Sequence, residues 1–159
     1  MPLLADISES MTLMFRRPRR VQFAALCYRV QKEKCSLEVL LLTSRDTGRW
    51  VIPKGWPMGD KPGFEVAAQE AFEEAGAIGV AQEDAFGHFD YDKGMADGMV
   101  VPCRVQVHVM HFSRQAEDYK EKGKRTLEWV SPKEAIARVQ EPGLKDLIAR
   151  FDHEFSSVK

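Results

Sequence analysis

Between Pro53 and Gly63 the chain interleaves Pro53, Pro57 and Pro62 with Gly55, Gly59 and Gly63. No helix or strand tolerates that density of residues that either lock or free the backbone, so the segment is a loop of defined shape. Helix signals follow at once. Proline stands in the first turn and Gly76 just past the end of a helix predicted from about Pro62 to Ala75, the asymmetry helices prefer. Phe64, Ala67, Ala68, Ala71 and Ala75 form its apolar face, and a face made mostly of alanine implies close approach to a sheet. Loops held ahead of such an element often bear function.

Around this centre the pattern predicts strands. Val21–Val30, Leu37–Thr43 and Trp50–Pro53 come before the loop, with the first two able to form a hairpin across the polar break at Gln31–Lys34. Ala85–Tyr91, Val100–Phe112 and Leu127–Val130 come after the helix, and Arg104–Val109 alternates with period two. Two helices close the chain, Pro132–Val139 with Ser131 as N-cap and Leu144 to about Phe155. Strands, one helix, strands and then helices predict a mixed sheet with helices on both faces. With 159 residues, 44% of them hydrophobic, the chain is long enough for one sizeable core and too short for two ordinary domains. The expectation is one domain over residues 16–156 behind a loose arm at 1–15.

Charge and cysteine usage exclude several classes. The formal net charge is -1, from 23 basic and 24 acidic residues, so no global field favours nucleic acid or an anionic membrane. Anion recognition must be local. Cys27, Cys35 and Cys103 match neither a disulfide framework nor a zinc knuckle, and reduced thiols in a cytoplasm are expected. The first residues lack the order of a signal peptide, and no apolar stretch is long enough for a membrane helix, so a soluble protein is expected.

On the central helix Glu70, Glu73 and Glu74 stand three and four residues apart, which sets them on one side, away from the alanines. Like charges at these spacings repel unless a cation sits among them. Mg²⁺ is suited to that place, since it uses one or two carboxylates and completes its shell with water and phosphate oxygens. Glu-rich helix surfaces are also common as merely solvated faces, so the three glutamates alone do not decide the matter.

The loop decides it. Read from Gly55 to Ala77, the segment resembles the Nudix box, whose pattern is glycine, five residues, Glu, seven residues, Arg-Glu, an aliphatic residue, any residue, Glu-Glu, any residue, glycine, aliphatic. Gly55, Glu70, Ala71, Glu73, Glu74, Gly76 and Ala77 fall in register, and Trp50–Lys54 resembles the usual lead-in. Lys61 stands where the box has its first Glu, and Gln69 where it has Arg. Both halves of one ion pair are exchanged, which avoids leaving a lone buried charge, and Lys61 is expected to donate to the Gln69 side-chain oxygen instead. Ser44-Arg45, Arg49-Trp50, Gly123-Lys124-Arg125 and Glu128-Trp129 resemble pieces of the branch that hydrolyses diphosphoinositol and diadenosine polyphosphates.

The resemblance implies an α/β/α sandwich and a Mg²⁺-dependent hydrolase, with Mn²⁺ as a substitute ion. It implies metal ligands Glu70, Glu73 and Glu74, with the Gly55 carbonyl beside them, and a general base at Glu73, Glu74 or a later loop. Lys54 is placed to meet phosphate as a point charge, and Arg45 and Arg49 to grip it with planar guanidinium groups. Arg16–Arg20 and Lys120–Arg125 are candidate rims for a polyanion, which brings in Arg20 and Arg125. Trp56 can stack a base or pack under the loop. His88 with Asp90 is a weaker candidate acid–base helper, and His108 and His111 are expected to be ordinary strand residues. The partner implied is a small polyphosphate, with no sequence-specific nucleic acid and no membrane; oligomeric state is not encoded in any of these features. Dinucleoside and diphosphoinositol polyphosphates lead, with ADP-ribose, reduced nicotinamide dinucleotide and damaged nucleoside triphosphates behind. The rival reading is a non-catalytic sensor of the same fold, suggested by Lys61 and Gln69 and opposed by the retention of all three glutamates.

Overall fold

The computed structural model describes residues 18–156, so the predicted arm and the first two arginines of the basic run, Arg16 and Arg17, lie outside the described residues. Eight strands are described: β1 Arg20–Gln31, β2 Ser36–Thr43, β3 Trp50–Val51, β4 Lys54–Gly55, β5 Ala77–Ala81, β6 Gly87–Gly94, β7 Val100–Gln115 and β8 Leu127–Val130. The helices are α1 Gly63–Ala75, α2 Pro132–Arg138 and α3 Pro142–Ser156. Strands β3, β2, β1, β7 and β5 follow one another across the sheet, with β4 on β1, β6 on β7 and β8 on β2. Strands β1 and β7 run parallel from Arg20↔Cys103 to Tyr28↔His111, while β1 and β2 form the expected antiparallel hairpin. The sheet is therefore mixed.

Both faces of β1 are covered, which explains why Ala24–Cys27 is a continuous apolar run without alternation. Ala25 and Cys27 join Leu40, Met110 and the α1 alanines Ala67, Ala71 and Ala75 on one face. Ala24 and Leu26 join Val39, Leu41, Val107 and the α3 residues Leu144, Ile148 and Phe151 on the other. The architecture is an α/β/α sandwich. The missing side-chain bulk of the alanines lets α1 lie close on the sheet, and that fixes where its remaining side chains emerge.

Caps set the helix ends. Pro62 precedes α1 in extended conformation, and Gly76 ends it in the left-handed region at φ 65°, donating its N–H to the carbonyls of Ala71 and Phe72. Ser131 Oγ accepts from the Glu134 N–H at 3.1 Å, as expected of an N-cap. Four predictions need correction. Lys54 and Gly55, read as loop, form strand β4, because Ala24 and Phe23 of β1 supply backbone partners. Strand β5 follows Gly76 directly, although Ala77–Ala81 holds only a short apolar run broken by a glycine; its pairing with β7 supplies the order that local propensity does not. Strand β7 runs on to Gln115 because β5 pairs along its far end. Helix α3 begins at Pro142, because proline is tolerated in a first turn.

Candidate active site

Strand β4 pairs Gly55 with Phe23 and Lys54 with Ala24 of β1, which holds the mouth of the loop against the sheet beside α1. A Cβ built on Gly55 would lie 2.2 Å from Glu70 Oε1. The Glu70 carboxylate thus occupies the space that any larger residue at position 55 would need. Glu74 is 5% exposed; it accepts the Lys54 backbone N–H at 3.3 Å and stands 3.7 Å from the Arg125 guanidinium.

That burial corrects the expectation that all three glutamates turn away from the alanines. At 3.6 residues per turn Glu74 lies roughly 20° around the axis from Ala67, so it shares the packed stripe. Glu70 flanks the stripe and Glu73 is turned farthest from it; both are half-buried. A second correction concerns the exchanged pair. The Gln69 amide donates to Glu73 Oε1 at 3.2 Å, one turn along the same helix, and no Lys61–Gln69 bond forms among the described residues. Lys61 lies exposed beside the turn in which its backbone N–H meets the Met58 carbonyl. In place of a brace between loop and helix, Gln69 orients a candidate catalytic carboxylate within the helix.

Glu121, in the connection between β7 and β8, is a site residue that sequence reasoning passed over as a mere interruption of a basic run. Its backbone N–H donates to the Glu73 carbonyl at 3.0 Å, and its carboxylate pairs with Arg45 at 3.0 Å and Arg125 at 3.3 Å. The only available signal was a single acid within Lys120–Arg125. The basic cluster itself is brought to the site: Lys120, Lys124 and Arg125 line one cavity with Gly55, Trp56 and the three glutamates. Arg125 also donates to the Thr43 carbonyl at 3.2 Å, which ties the connection to the end of β2.

The other candidate binders fall into two groups. Arg45 and Lys54 line the glutamate cavity. Arg20 lies with its guanidinium 4.4 Å over the half-buried Trp56 ring, so that ring face is already covered by a cation. Arg49 is not among the residues lining the glutamate cavity; it is ion-paired with Glu141 in a neighbouring cavity. Asp90 binds Arg104 at 3.0 Å and Arg19 at 3.5 Å, His88 is exposed on β6, and neither lines the glutamate cavity. His108 is buried on β7, with Nδ1 at 2.9 Å from the Gln82 carbonyl, as an ordinary strand residue.

Electrostatics distinguish this helix face from a solvated one. Burial pushes the Glu70 carboxyl up to about 7, reinforced by the charges of Glu74, Glu73 and Glu121. Burial also pushes Glu74 up to about 7, against the opposing charges of Arg125 and Lys54. Lys54 is drawn down to about 8 by burial, although Glu74 and Glu141 pull the other way. Carboxylates that resist ionisation this strongly fit a divalent cation as their missing partner. Among the described residues no three or more His, Cys, Asp or Glu side chains gather closely enough to hold a metal ion by themselves. An open Mg²⁺ site, which takes few protein oxygens and leaves positions for water and phosphate, is compatible with that arrangement. Glu70 and Glu74 would hold the ion, with Glu73, Glu121 and the Gly55 carbonyl at its edge.

A stability prediction follows from the signs. A carboxyl raised above its ordinary value favours the folded state at low pH, and that contribution is lost as pH rises from about 4.5 through about 7. Metal-free protein should therefore melt lower at pH 8 than at pH 5.5, and Mg²⁺ should raise the melting temperature by on the order of 5 °C more at pH 8. Melting curves at the two pH values with Mg²⁺ or EDTA check this; an equal Mg²⁺ effect at both would contradict it.

No family model matches the chain, but individual relatives do. Diphosphoinositol polyphosphate phosphohydrolase 3-beta of Bos taurus is 30% identical over 120 residues, spanning 74% of this chain and 67% of that protein. Nudix hydrolase 12, mitochondrial, of Arabidopsis thaliana is 30% identical over 103 residues, spanning 63% and 51%. The chain covers between half and two thirds of the length of the relatives it matches. Among solved structures, the C. elegans Ap4A hydrolase superposes with a TM-score of 0.66 at 20% identity, covering 87% of this chain and 99% of that one. The fold, the box in register from Gly55 to Ala77 and a relative matched over two thirds of its length agree that the chain belongs to the Nudix hydrolase family.

Proposed function

We propose that this chain is a Mg²⁺-dependent pyrophosphohydrolase that cleaves a phosphoanhydride bond in a nucleoside- or inositol-linked polyphosphate. The observation that carries the proposal is the pair of carboxylates, Glu70 and Glu74, held against Gly55 and Lys54 and resisting ionisation near neutral pH. A sensor that binds without turnover has no need to maintain such repulsion. The names of relatives point the same way, since one acts on diphosphoinositol polyphosphates and a neighbour in fold is an Ap4A hydrolase.

Bound Mg²⁺ would supply charge to the phosphate oxygens and acidify an attacking water. This chain's own residues do the rest. Glu74 crowds the charge of Glu70 one turn away, so the pair is suited to hold a cation. Glu73, half-buried and oriented by Gln69, lines the same cavity, and we assign it as general base. Lys54, Lys120, Lys124 and Arg125 line the cavity on which the phosphate chain would lie, with Arg45 bridging to it through Glu121. The free thiols Cys27, Cys35 and Cys103 support placement in a reducing cytoplasm.

The test is phosphate or nucleotide release from diadenosine polyphosphates, a diphosphoinositol polyphosphate, ADP-ribose and nucleoside triphosphates, each with Mg²⁺ and with EDTA. Metal-dependent turnover on one class is the expected result, with Mn²⁺ substituting for Mg²⁺. Tight binding without turnover across the panel would replace the hydrolase with a sensor.

A further inference from the structure

A second cavity, of about 640 Å³, adjoins the glutamate cavity, and Lys54 and Lys93 line both. The two differ in charge. Beside the glutamates stand Arg45, Lys120, Lys124 and Arg125 in addition to the shared lysines. Among the described residues Arg49 is the one further cation lining the second cavity, which Asp46, Asp90, Asp92 and Glu141 also line. Arg49 is also spent: its guanidinium is ion-paired with Glu141, which is 7% exposed. The other carboxylate oxygen of Glu141 is buried with no hydrogen-bond partner among the described residues, and its charge also acts on Lys54. The Tyr91 ring also lines the cavity, with Lys54 Nζ 5.3 Å and the Arg49 guanidinium 5.9 Å from its centre and its hydroxyl donating to Gln22 at 2.5 Å.

We infer that Glu141 is a specificity-determining residue. By cancelling Arg49 and part of Lys54, it makes the second cavity a seat for an uncharged group bearing hydroxyl or amino donors, such as a nucleoside. A ring crowded with phosphates is turned away, because each phosphate would approach a buried carboxylate whose cation is already taken. Phosphates are then received only at the glutamate end. The inference rests on the proposed polyphosphate substrate and narrows it from two classes to the nucleoside-linked one.

Calorimetric binding, which needs no turnover, tests it with two probes in Mg²⁺: a methylene-bridged, non-hydrolysable diadenosine tetraphosphate and inositol hexakisphosphate. Wild-type protein should bind the dinucleotide at least about 10-fold more tightly. Glu141→Lys should tighten inositol hexakisphosphate by about 100-fold and shift the dinucleotide by less than about 5-fold. Glu141→Gln keeps an acceptor for Arg49 and the same volume, so it should fold even if Glu141→Lys does not, and should tighten inositol hexakisphosphate by about 10-fold. Equal wild-type affinities, no dinucleotide binding, or parallel changes for both probes would overturn the inference. A protein that shows this preference yet hydrolyses nothing would overturn the hydrolase proposal alone.

Discussion

Glu74→Gln is expected to lower metal-dependent turnover by about 10³-fold while raising the stability of the metal-free protein. The wild-type carboxylate is buried, carries a charge that burial disfavours, and adds repulsion to Glu70 and Glu121. The amide fills the same volume and can still accept the Lys54 N–H that Glu74 accepts at 3.3 Å. It removes the charge a cation would answer, and the loss of one such ligand or base falls in the range of 10²–10⁴-fold, about 3–5 kcal/mol of transition-state stabilisation. Arg125 is left with Glu121 as its counter-ion at 3.3 Å and Lys54 with the charge of Glu141, so no cation is stranded. The checks are initial rates on the substrate class that the panel identifies and melting curves at pH 8 with EDTA and with Mg²⁺. The variant should melt higher than wild type in EDTA and gain less from Mg²⁺. Lower stability in EDTA together with normal turnover would show that Glu74 is a structural residue. A site that opposes the stability of its own fold is the expected signature of function.

The features legible in the sequence were those governed by local rules. The loop was marked by Pro53, Pro57 and Pro62, the helix by its alanine face and Gly76, and the last cap by Ser131. Strands β1, β2 and β8 came from apolar runs, whereas β5 came from none, because Ala77–Ala81 is ordered by its partner β7. At the site, Glu70, Glu73 and Glu74 were legible from spacing, but their environments were not. The burial of Glu74 depends on how closely α1 lies on the sheet, and the role of Glu121 depends on a connection distant in sequence meeting the Glu73 carbonyl. Arg49 reads as a phosphate binder because its charge is visible in the sequence; the residue that neutralises it, Glu141, lies 92 positions away. Charges can be counted from a sequence, but compensation between charges requires the fold.

Gly55→Ala should abolish most activity, by about 100-fold or more, and leave the melting temperature within a few degrees of wild type. Gly55 has no positive φ, so alanine meets no backbone penalty there, and β4 can keep its pairing with β1. The new methyl would instead arrive 2.2 Å from Glu70 Oε1 and 2.3 Å from its carboxyl carbon, an overlap that something must relieve. The Glu70 carboxylate is the far end of a flexible side chain, half-buried and crowded by Glu74 and Glu73, so it can swing toward solvent with little loss of packing. That displacement removes from the cavity one of the two carboxylates that would hold the cation. A misplacement of about 1 Å at a reacting centre already costs about 10²-fold. Turnover should fall at saturating substrate, and the Mg²⁺ concentration giving half-maximal rate should rise by at least about 10-fold, since the ion loses a ligand. The same substitution at Gly48, whose Cβ would meet nothing, is the control: there the φ of 68° makes alanine a strain on the turn, so stability should fall and the Mg²⁺ requirement should not move. Activity lost with stability at position 55, or retained in full, would separate Gly55 from Glu70 and with it the role of this contact in shaping the site.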